Sequence, residues 1–497
     1  MSNLYYSTRN KEEKVNFAEG VTRGIASDGG LFVPETFENI DIYNKQYLEM
    51  TYQEMAVDIL SKFLVDFNLD EIKDCVYKAY GDNFDSKEIV PIKSFENFAF
   101  LELFKGPTLA FKDMALSILP KFMKLSKEKN NIKEDIVILT ATSGDTGKAA
   151  LEGFANQEGI KIIVFFPTDG VSDVQKAQMQ TQIGANTHVI AIHGNFDDAQ
   201  NGVKELLNDK EFKEILKANS YVFSSANSIN IGRLLPQIVY YVYGYFNLVK
   251  TNKIKIGDKI NIVVPTGNFG NILASYYASI MGIPVNKFIC ASNSNNVLTD
   301  FINTGTYDIN RGFETTISPS MDILISSNLE RFLEALSNKD VQLIKNLMVS
   351  LKTTGKYELT QELKKKMNNF YASFASDSDT KAIVKEIYDK YSYVIDTHTA
   401  VAYKVYDDYV KATGDKDTQT LIAATASPFK FTRSVVEAIT EENQDSKTDF
   451  ELIEVLSNIA KLDIPKGVFQ LDKKETIHKT VVEVNEMKNS IKDFLKL

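Results

Sequence analysis

Short runs of aliphatic and β-branched residues recur through the middle of the chain, at 136–140, 162–166, 189–192, 262–265, 288–291 and 421–424. Stretches with apolar positions at helical spacing separate most of them, at 146–157, 173–183, 197–217, 229–249 and 269–281. Near-continuous apolar strands alternating with helices predict an α/β fold with mostly parallel sheets flanked by helices. Residues 1–90 read as a separate N-terminal domain. It has a turn-rich segment holding Gly24, Gly29, Gly30 and Pro34, then helical patterns at 53–65 and 70–79. From 303 to 393 the pattern is polar, lysine-rich and helical, and about 440–497 reads as charged C-terminal helices.

In parallel sheets, ligands bind where the carboxyl ends of strands open into helix N-termini. Three strand ends here lead into small, hydroxyl- or glycine-rich loops: Ser143-Gly144-Asp145-Thr146, Gly267-Asn268-Phe269-Gly270-Asn271, and Thr425 with the residues after it. The second is built to approach a phosphate closely, through consecutive N–H groups at a helix start, or is a simple turn. Its Gly-x-x-Gly spacing does not satisfy the dinucleotide fingerprint. The Walker pattern also fails, because Thr142 and Ala149 stand where a glycine and a hydroxyl residue are needed. The first loop offers donors for a carboxylate, and the Thr425 hydroxyl suits a ring nitrogen.

A fourth stretch, ELFKGPTLAFKDMA from Glu102 to Ala115, centres on Lys112. Gly106 and Pro107 break regular structure, and Thr108 is a good helix N-cap for the apolar face of Leu109, Phe111, Met114, Ala115, Ile118 and Leu119. Lys112 then lies in the first helical turn, opposing the macrodipole. Either it snorkels to solvent, or its amine is held beside apolar surface to condense with an aldehyde cofactor. Pro120 should kink or end that helix.

Composition narrows the class. Fifty-six basic against sixty-six acidic residues leave a net charge of −10, which argues against nucleic acid as a partner. No apolar run is long enough for a membrane span, and the N-terminus has no signal-peptide pattern. Two distant cysteines and four histidines without paired spacing indicate neither disulfides nor a metal site. A cytoplasmic enzyme or binding protein is expected.

Gly106-Pro107-Thr108-Leu109-Ala110-Phe111-Lys112-Asp113 resembles the lysine motif of the threonine synthase family, in its branch with a long N-terminal domain. Tyr5 to Arg9, Thr140 to Gly147, Ala226 to Arg233, Val264 to Asn271, Asp396 to Ala402 and Thr425 to Phe431 resemble further motifs of that family. The resemblance implies the tryptophan-synthase-β-like fold type II of pyridoxal-phosphate enzymes. Residues 91–497 would form the catalytic region, with a smaller, mobile lobe at about 135–230 and an insertion at 303–393. It implies that Lys112 holds pyridoxal 5′-phosphate as a Schiff base and shuttles protons. Gly267, Asn268, Phe269, Gly270 and Asn271 would bind the cofactor phosphate, Asp145 would lie near the cofactor's O3′, and Thr425 would meet the ring nitrogen. Ser143, Gly144 and Thr146 would hold the substrate carboxylate. Asn227, Ser228 and Arg233, with Lys430 as a weaker candidate, would hold the substrate phosphate, and His398 would stand behind them. The implied reaction converts O-phospho-L-homoserine and water to L-threonine and phosphate, by a monomer or homodimer. A dehydratase, a phospholyase forming an oxo acid, and a non-catalytic cofactor-binding protein are the competing expectations.

Overall fold

A computed structural model describes residues 4–497, residues 1–3 lying outside the described residues. Two sheets organise the chain beyond residue 90. The larger has six strands in the order Phe370–Phe374, Val285–Ser292, Ile260–Pro265, Thr420–Ala424, Phe98–Glu102 and Ile92–Ser94. Every neighbour in it is parallel except the last pair. The smaller has five parallel strands in the order Thr480–Glu483, Thr187–His193, Ile160–Pro167, Asp135–Ala141 and Tyr221–Ser225. All six strands anticipated from the apolar runs are present. Such runs form when both faces of a strand are covered, and the central strands Ile260–Pro265 and Thr420–Ala424 are buried throughout.

Helices start where side chains can meet their first N–H groups. Thr51 with Glu54, Asn68 with Glu71 and Ser172 with Gln175 each form a reciprocal capping box. The 197–217 pattern divides into Phe196–Asn208 and Lys210–Ala218 at Asp209, whose carboxylate caps the second helix. The 229–249 pattern divides at Pro236, which opens the helix Pro236–Lys250. Among the described residues no helix is long and apolar enough to cross a membrane.

The N-terminal region contributes a three-stranded antiparallel sheet, Asn10–Val15, Tyr5–Ser7 and Phe32–Pro34, and packs directly on the rest of the chain. Tyr80 Oη donates to the Met114 carbonyl at 2.5 Å, and Asn230 Nδ2 donates to the Val21 carbonyl at 2.9 Å. Both contacts reach segments that flank the candidate site.

Two expectations need correction. The 303–393 stretch is not wholly helical: Thr306–Asp308 pairs with Lys356–Glu358, and Phe370–Phe374 forms an edge of the large sheet. Likewise 440–497 holds a strand, Thr480–Glu483, that completes the small sheet. Edge strands pair on one side only, so they carry less of the apolar signal that marks a buried strand.

Candidate active site

The lysine loop departs from the simple helix start expected. Thr108 does not cap a helix; its hydroxyl and N–H donate to the Asp113 carboxylate at 2.5 and 2.9 Å. Burial pushes the Asp113 carboxyl up to about 6 against those bonds. Leu109 takes φ +64°, and the first turn runs only over Asp113–Leu116, with Lys112 at the N-cap. Pro120 does not kink this turn; it sits in the first turn of a second helix, Leu119–Lys129, where its missing N–H costs nothing. The loop is tied to the end of the strand Thr420–Ala424. Phe111 N–H donates to the Thr425 carbonyl at 2.8 Å, and Ser427 N–H to the Leu109 carbonyl at 2.9 Å. Thr425 is itself buried, so the lysine and the third loop meet through the backbone.

Lys112 is not a snorkelling side chain. It is 9% exposed, and its Nζ meets Asp145 Oδ2 at 3.4 Å and Ser320 Oγ at 3.1 Å. Burial pushes its ammonium below the ordinary lysine value; Asp145 opposes this, while Lys430 and Arg233 add to it. Asp145 is 3% exposed and accepts from Gln175 Nε2 at 2.8 Å and Ser320 Oγ at 2.9 Å, and pairs with Lys430 Nζ at 2.9 Å. Burial alone would raise the Asp145 carboxyl, but the charges of Lys430 and Lys112 outweigh it and hold it well below the usual range. The carboxylate's charge is therefore balanced mainly by Lys430, which leaves Lys112 free to give up its proton.

Ser320 and Gln175 were not anticipated, and His398, expected behind the substrate-phosphate residues, stands behind Ser320. Ser320 N–H donates to His398 Nε2 at 3.2 Å, so the imidazole proton resides on Nδ1, 2.8 Å from Asp396 Oδ2. His398 thus orients the loop that presents Ser320 to Lys112. That loop is held from its other side by Asp322, which accepts from Asn293, Asn295 and Thr316. The run ISPSMDILISSN, serine-rich and interrupted by Pro319, was the available signal: it has none of the Ala, Glu, Lys or Arg of the helices that follow it.

The remaining anticipated residues line loops around this centre. Gly144, at φ +131°, opens the helix Asp145–Phe154, and a methyl there would meet the Gln175 side chain at 2.5 Å. Ser143 and Thr146 flank it, half-buried. The 267–271 loop ends the strand Ile260–Pro265 and opens the helix Gly270–Ile280, with Phe269 at φ +61° and no side chain capping its first N–H groups. The Ser320 carbonyl lies 2.8 Å from where a methyl on Gly267 would be, so this loop and the Lys112 network touch. Asn227 and Ser228 are half-buried after the strand Tyr221–Ser225, and Arg233 is buried with Nη1 on the Ala226 carbonyl at 3.0 Å. Lys430 is turned toward Asp145 and the Thr108 carbonyl, which it reaches at 2.9 Å.

Buried donors nearly always find an acceptor. Here Arg233 Nε and Asn271 Nδ2 have none among the described residues. Burial lowers the Arg233 guanidinium to about 10, so it remains cationic at neutral pH. The unmet Asn271 donor and the uncapped helix N–H groups, close to a buried amine, suit an anionic aldehyde, and Arg233 offers a separate cationic donor for a second anion.

The comparisons agree with this chemistry. A family model described as "Pyridoxal-phosphate dependent enzyme" matches residues 96–425. "Threonine synthase N terminus" matches 4–80, and "Threonine synthase, C-terminal" matches 399–482. The human protein "Threonine synthase-like 1" is 40% identical over 476 residues, covering 91% of this chain but 63% of the human protein, so the chain spans less than two thirds of that relative. "Threonine synthase" of Saccharomyces cerevisiae is 34% identical over 469 residues, covering 88% of this chain and 89% of the yeast protein. Among solved structures, PLP-bound threonine synthase from Brucella melitensis superposes with a TM-score of 0.84 at 31% identity, covering both chains fully. Yeast threonine synthase gives 0.87 at 31% identity, covering 100% of this chain and 99% of its own.

Proposed function

Because the chain belongs to the threonine synthase family of pyridoxal-phosphate-dependent enzymes, we propose that it converts O-phospho-L-homoserine and water into L-threonine and phosphate. The observation that carries this reading is the buried, cationic Arg233, with an unmet Nε donor, near enough to Lys112 to depress its ammonium. With the substrate carboxylate taken by Ser143, Gly144 and Thr146, an amino acid without a phosphate has no second anion to offer such a group, and an unpaired buried cation is costly.

The cofactor supplies, when bound, the electron sink that acidifies the α and then the β C–H bonds of the amino acid. The residues of this chain do the rest. The 267–271 loop and Asn271 Nδ2 hold the cofactor phosphate. Thr425 would offer its hydroxyl to the cofactor's ring nitrogen, and Asp145 would face its phenolic oxygen. Ser143, Gly144 and Thr146 take the substrate carboxylate at the N-terminus of the helix Asp145–Phe154. Asn227, Ser228 and Arg233 take the substrate phosphate, so that its bond to Cγ breaks with the leaving group already paired. Lys112 Nζ, neutral more readily than an exposed lysine, removes the α proton and returns one later, with Ser320 and Asp145 positioning it. Water adds its oxygen at Cβ and Cγ ends as the methyl group.

Turnover of O-phospho-L-homoserine tests this, with released phosphate and the organic product followed for wild type and Lys112→Ala. Equal threonine and phosphate from wild type, and neither from the variant, is the expected result. Phosphate with 2-oxobutyrate would move the assignment to a phospholyase on the same site. No phosphate would mean that Arg233 faces a different anion.

A further inference from the structure

Asn328 is fully buried at the start of the helix Leu329–Leu336, and its Oδ1 accepts from Arg331 Nη1 at 2.5 Å. A guanidinium only donates, so this bond determines which way the amide faces, and Nδ2 turns to the other side. There Nδ2 has no partner among the described residues. The place it faces is the 267–271 loop: a methyl on Gly270 would stand 3.3 Å from Asn328 Nδ2, and Asn328 N–H donates to the Asn268 carbonyl at 3.0 Å. A buried amide donor left without an acceptor is costly, and its position calls for a ligand.

We propose that Asn328 Nδ2 is a side-chain ligand of the cofactor's phosphate, supplied from outside the glycine loop, and that Arg331 is its positioning residue. Arg331 is fully buried and its remaining donors go to main-chain carbonyls: Nε to Phe32 at 2.9 Å, Nη2 to Ile229 at 2.6 Å and Nη1 to Ser228 at 3.4 Å. The nearby Glu330 carboxylate is instead hydrogen-bonded by Thr8 and Arg9. One guanidinium thus sets Asn328 while gripping the segment proposed for the substrate phosphate and a strand of the N-terminal region. The two anion sites and that region share one support.

This rests on the reading that the cofactor phosphate sits on the 267–271 loop, and the experiment separates the two. Apoprotein of wild type, Asn328→Ala, Asn328→Asp and Asn271→Asp is titrated with pyridoxal phosphate and with phosphate-free pyridoxal, reading the absorbance of the bound aldehyde. Asn328→Ala should lose roughly ten- to hundredfold in affinity for pyridoxal phosphate and little for pyridoxal. Asn328→Asp keeps an acceptor for Arg331 but turns an oxygen toward the phosphate, so it should lose at least as much while the apoprotein stays as stable as wild type. A wild-type preference for pyridoxal phosphate in Asn328→Asp would overturn the proposal, leaving Asn328 only as a partner for Arg331. If Asn271→Asp alone loses that preference, the loop reading stands and the inference falls. If no variant loses it, both fall.

Discussion

The pair Lys430–Asp145 offers the sharpest test of the site's electrostatics. The two charges lie 2.9 Å apart, with side chains 0% and 3% exposed. At an effective dielectric constant of about 20 their attraction is roughly 6 kcal/mol, and removing one partner of a buried pair costs about 3–5 kcal/mol. Lys430→Met keeps the length of the stem and removes the charge. It leaves Asp145 with Lys112, Ser320 and Gln175, so a loss near the lower bound is expected. Asp145→Asn leaves two ammoniums facing a neutral amide. Lys112, already depressed, sheds its proton, whereas Lys430 keeps only the Thr108 carbonyl. The larger loss therefore belongs to Asp145→Asn. The double variant removes both charges, and its loss should fall short of the sum by at least about 2 kcal/mol. Urea unfolding of the apoproteins measures this, followed by far-UV circular dichroism because the chain has no tryptophan, and compared where the denaturant slope is unchanged. Additivity within about 0.5 kcal/mol would refute the coupling. Asp145 would then be stabilised by solvent or by Lys112 alone, and Lys430 would be free for the substrate phosphate.

Capture of pyridoxal phosphate by apoprotein should speed up with rising pH and level off below 10.5, because Lys112 must be neutral to attack and burial depresses its ammonium. Asp145→Asn should shift that midpoint lower still, and a midpoint at or above 10.5 would sink the assignment. The same group makes the folded state gain stability as pH rises from its folded value to 10.5, since the unfolded chain binds more protons across that window. Arg233→Ala should lower kcat/KM for O-phospho-L-homoserine by about a hundredfold or more while leaving pyridoxal phosphate affinity unchanged, and Arg233→Lys should restore little, because an ammonium lacks the fork. Equal losses with phosphorylated and unphosphorylated substrates would remove Arg233 from the phosphate site. Gly153→Ala places a methyl 2.0 Å from the Leu116 carbonyl oxygen, so thermal unfolding should occur about 2 degrees lower or more, for a loss of about 2 kcal/mol or more. An unchanged midpoint would mean that the helix Asp145–Phe154 moves freely off the lysine turn.

In the two large sheets the sequence pattern carried most strands that are buried on both faces, and lost them mainly at the margins; the short buried strands Tyr5–Ser7 and Phe32–Pro34 of the N-terminal sheet were also missed. Ile92–Ser94, Phe370–Phe374, Tyr221–Ser225 and Thr480–Glu483 are all sheet edges. Phe98–Glu102 is an exception: it is buried throughout, but its apolar run passes without a break into the lysine loop. Lys112 stood out because a lysine in a first helical turn opposes the macrodipole, whereas Asp145 and Arg233 entered only through the resemblance of their motifs. Ser320, Asn328 and Arg331 were not legible, because what defines them is a partner far along the chain. Ser320 meets Lys112 across 208 positions, and Arg331 meets Phe32 across 299. A serine or arginine in a polar, lysine-rich stretch looks solvent-facing until the fold encloses it, and no local periodicity records that enclosure. Thr108 shows the same limit at short range, since either a helix N–H or the Asp113 carboxylate could have claimed its hydroxyl.

The small sheet has a consequence for how the protein is made. Four of its strands lie between residues 135 and 225, but the fifth, Thr480–Glu483, joins Thr187–His193 from near the other end of the chain. During synthesis, at about 5–20 residues per second, the Thr187–His193 strand waits on the order of tens of seconds for its outer neighbour. Through that interval its outward N–H and C=O groups are an open template for any other nascent strand. The late-made strand Thr480–Glu483 closes that edge. Whatever covers that edge until Thr480–Glu483 emerges therefore bears on how much of the chain folds rather than pairs elsewhere.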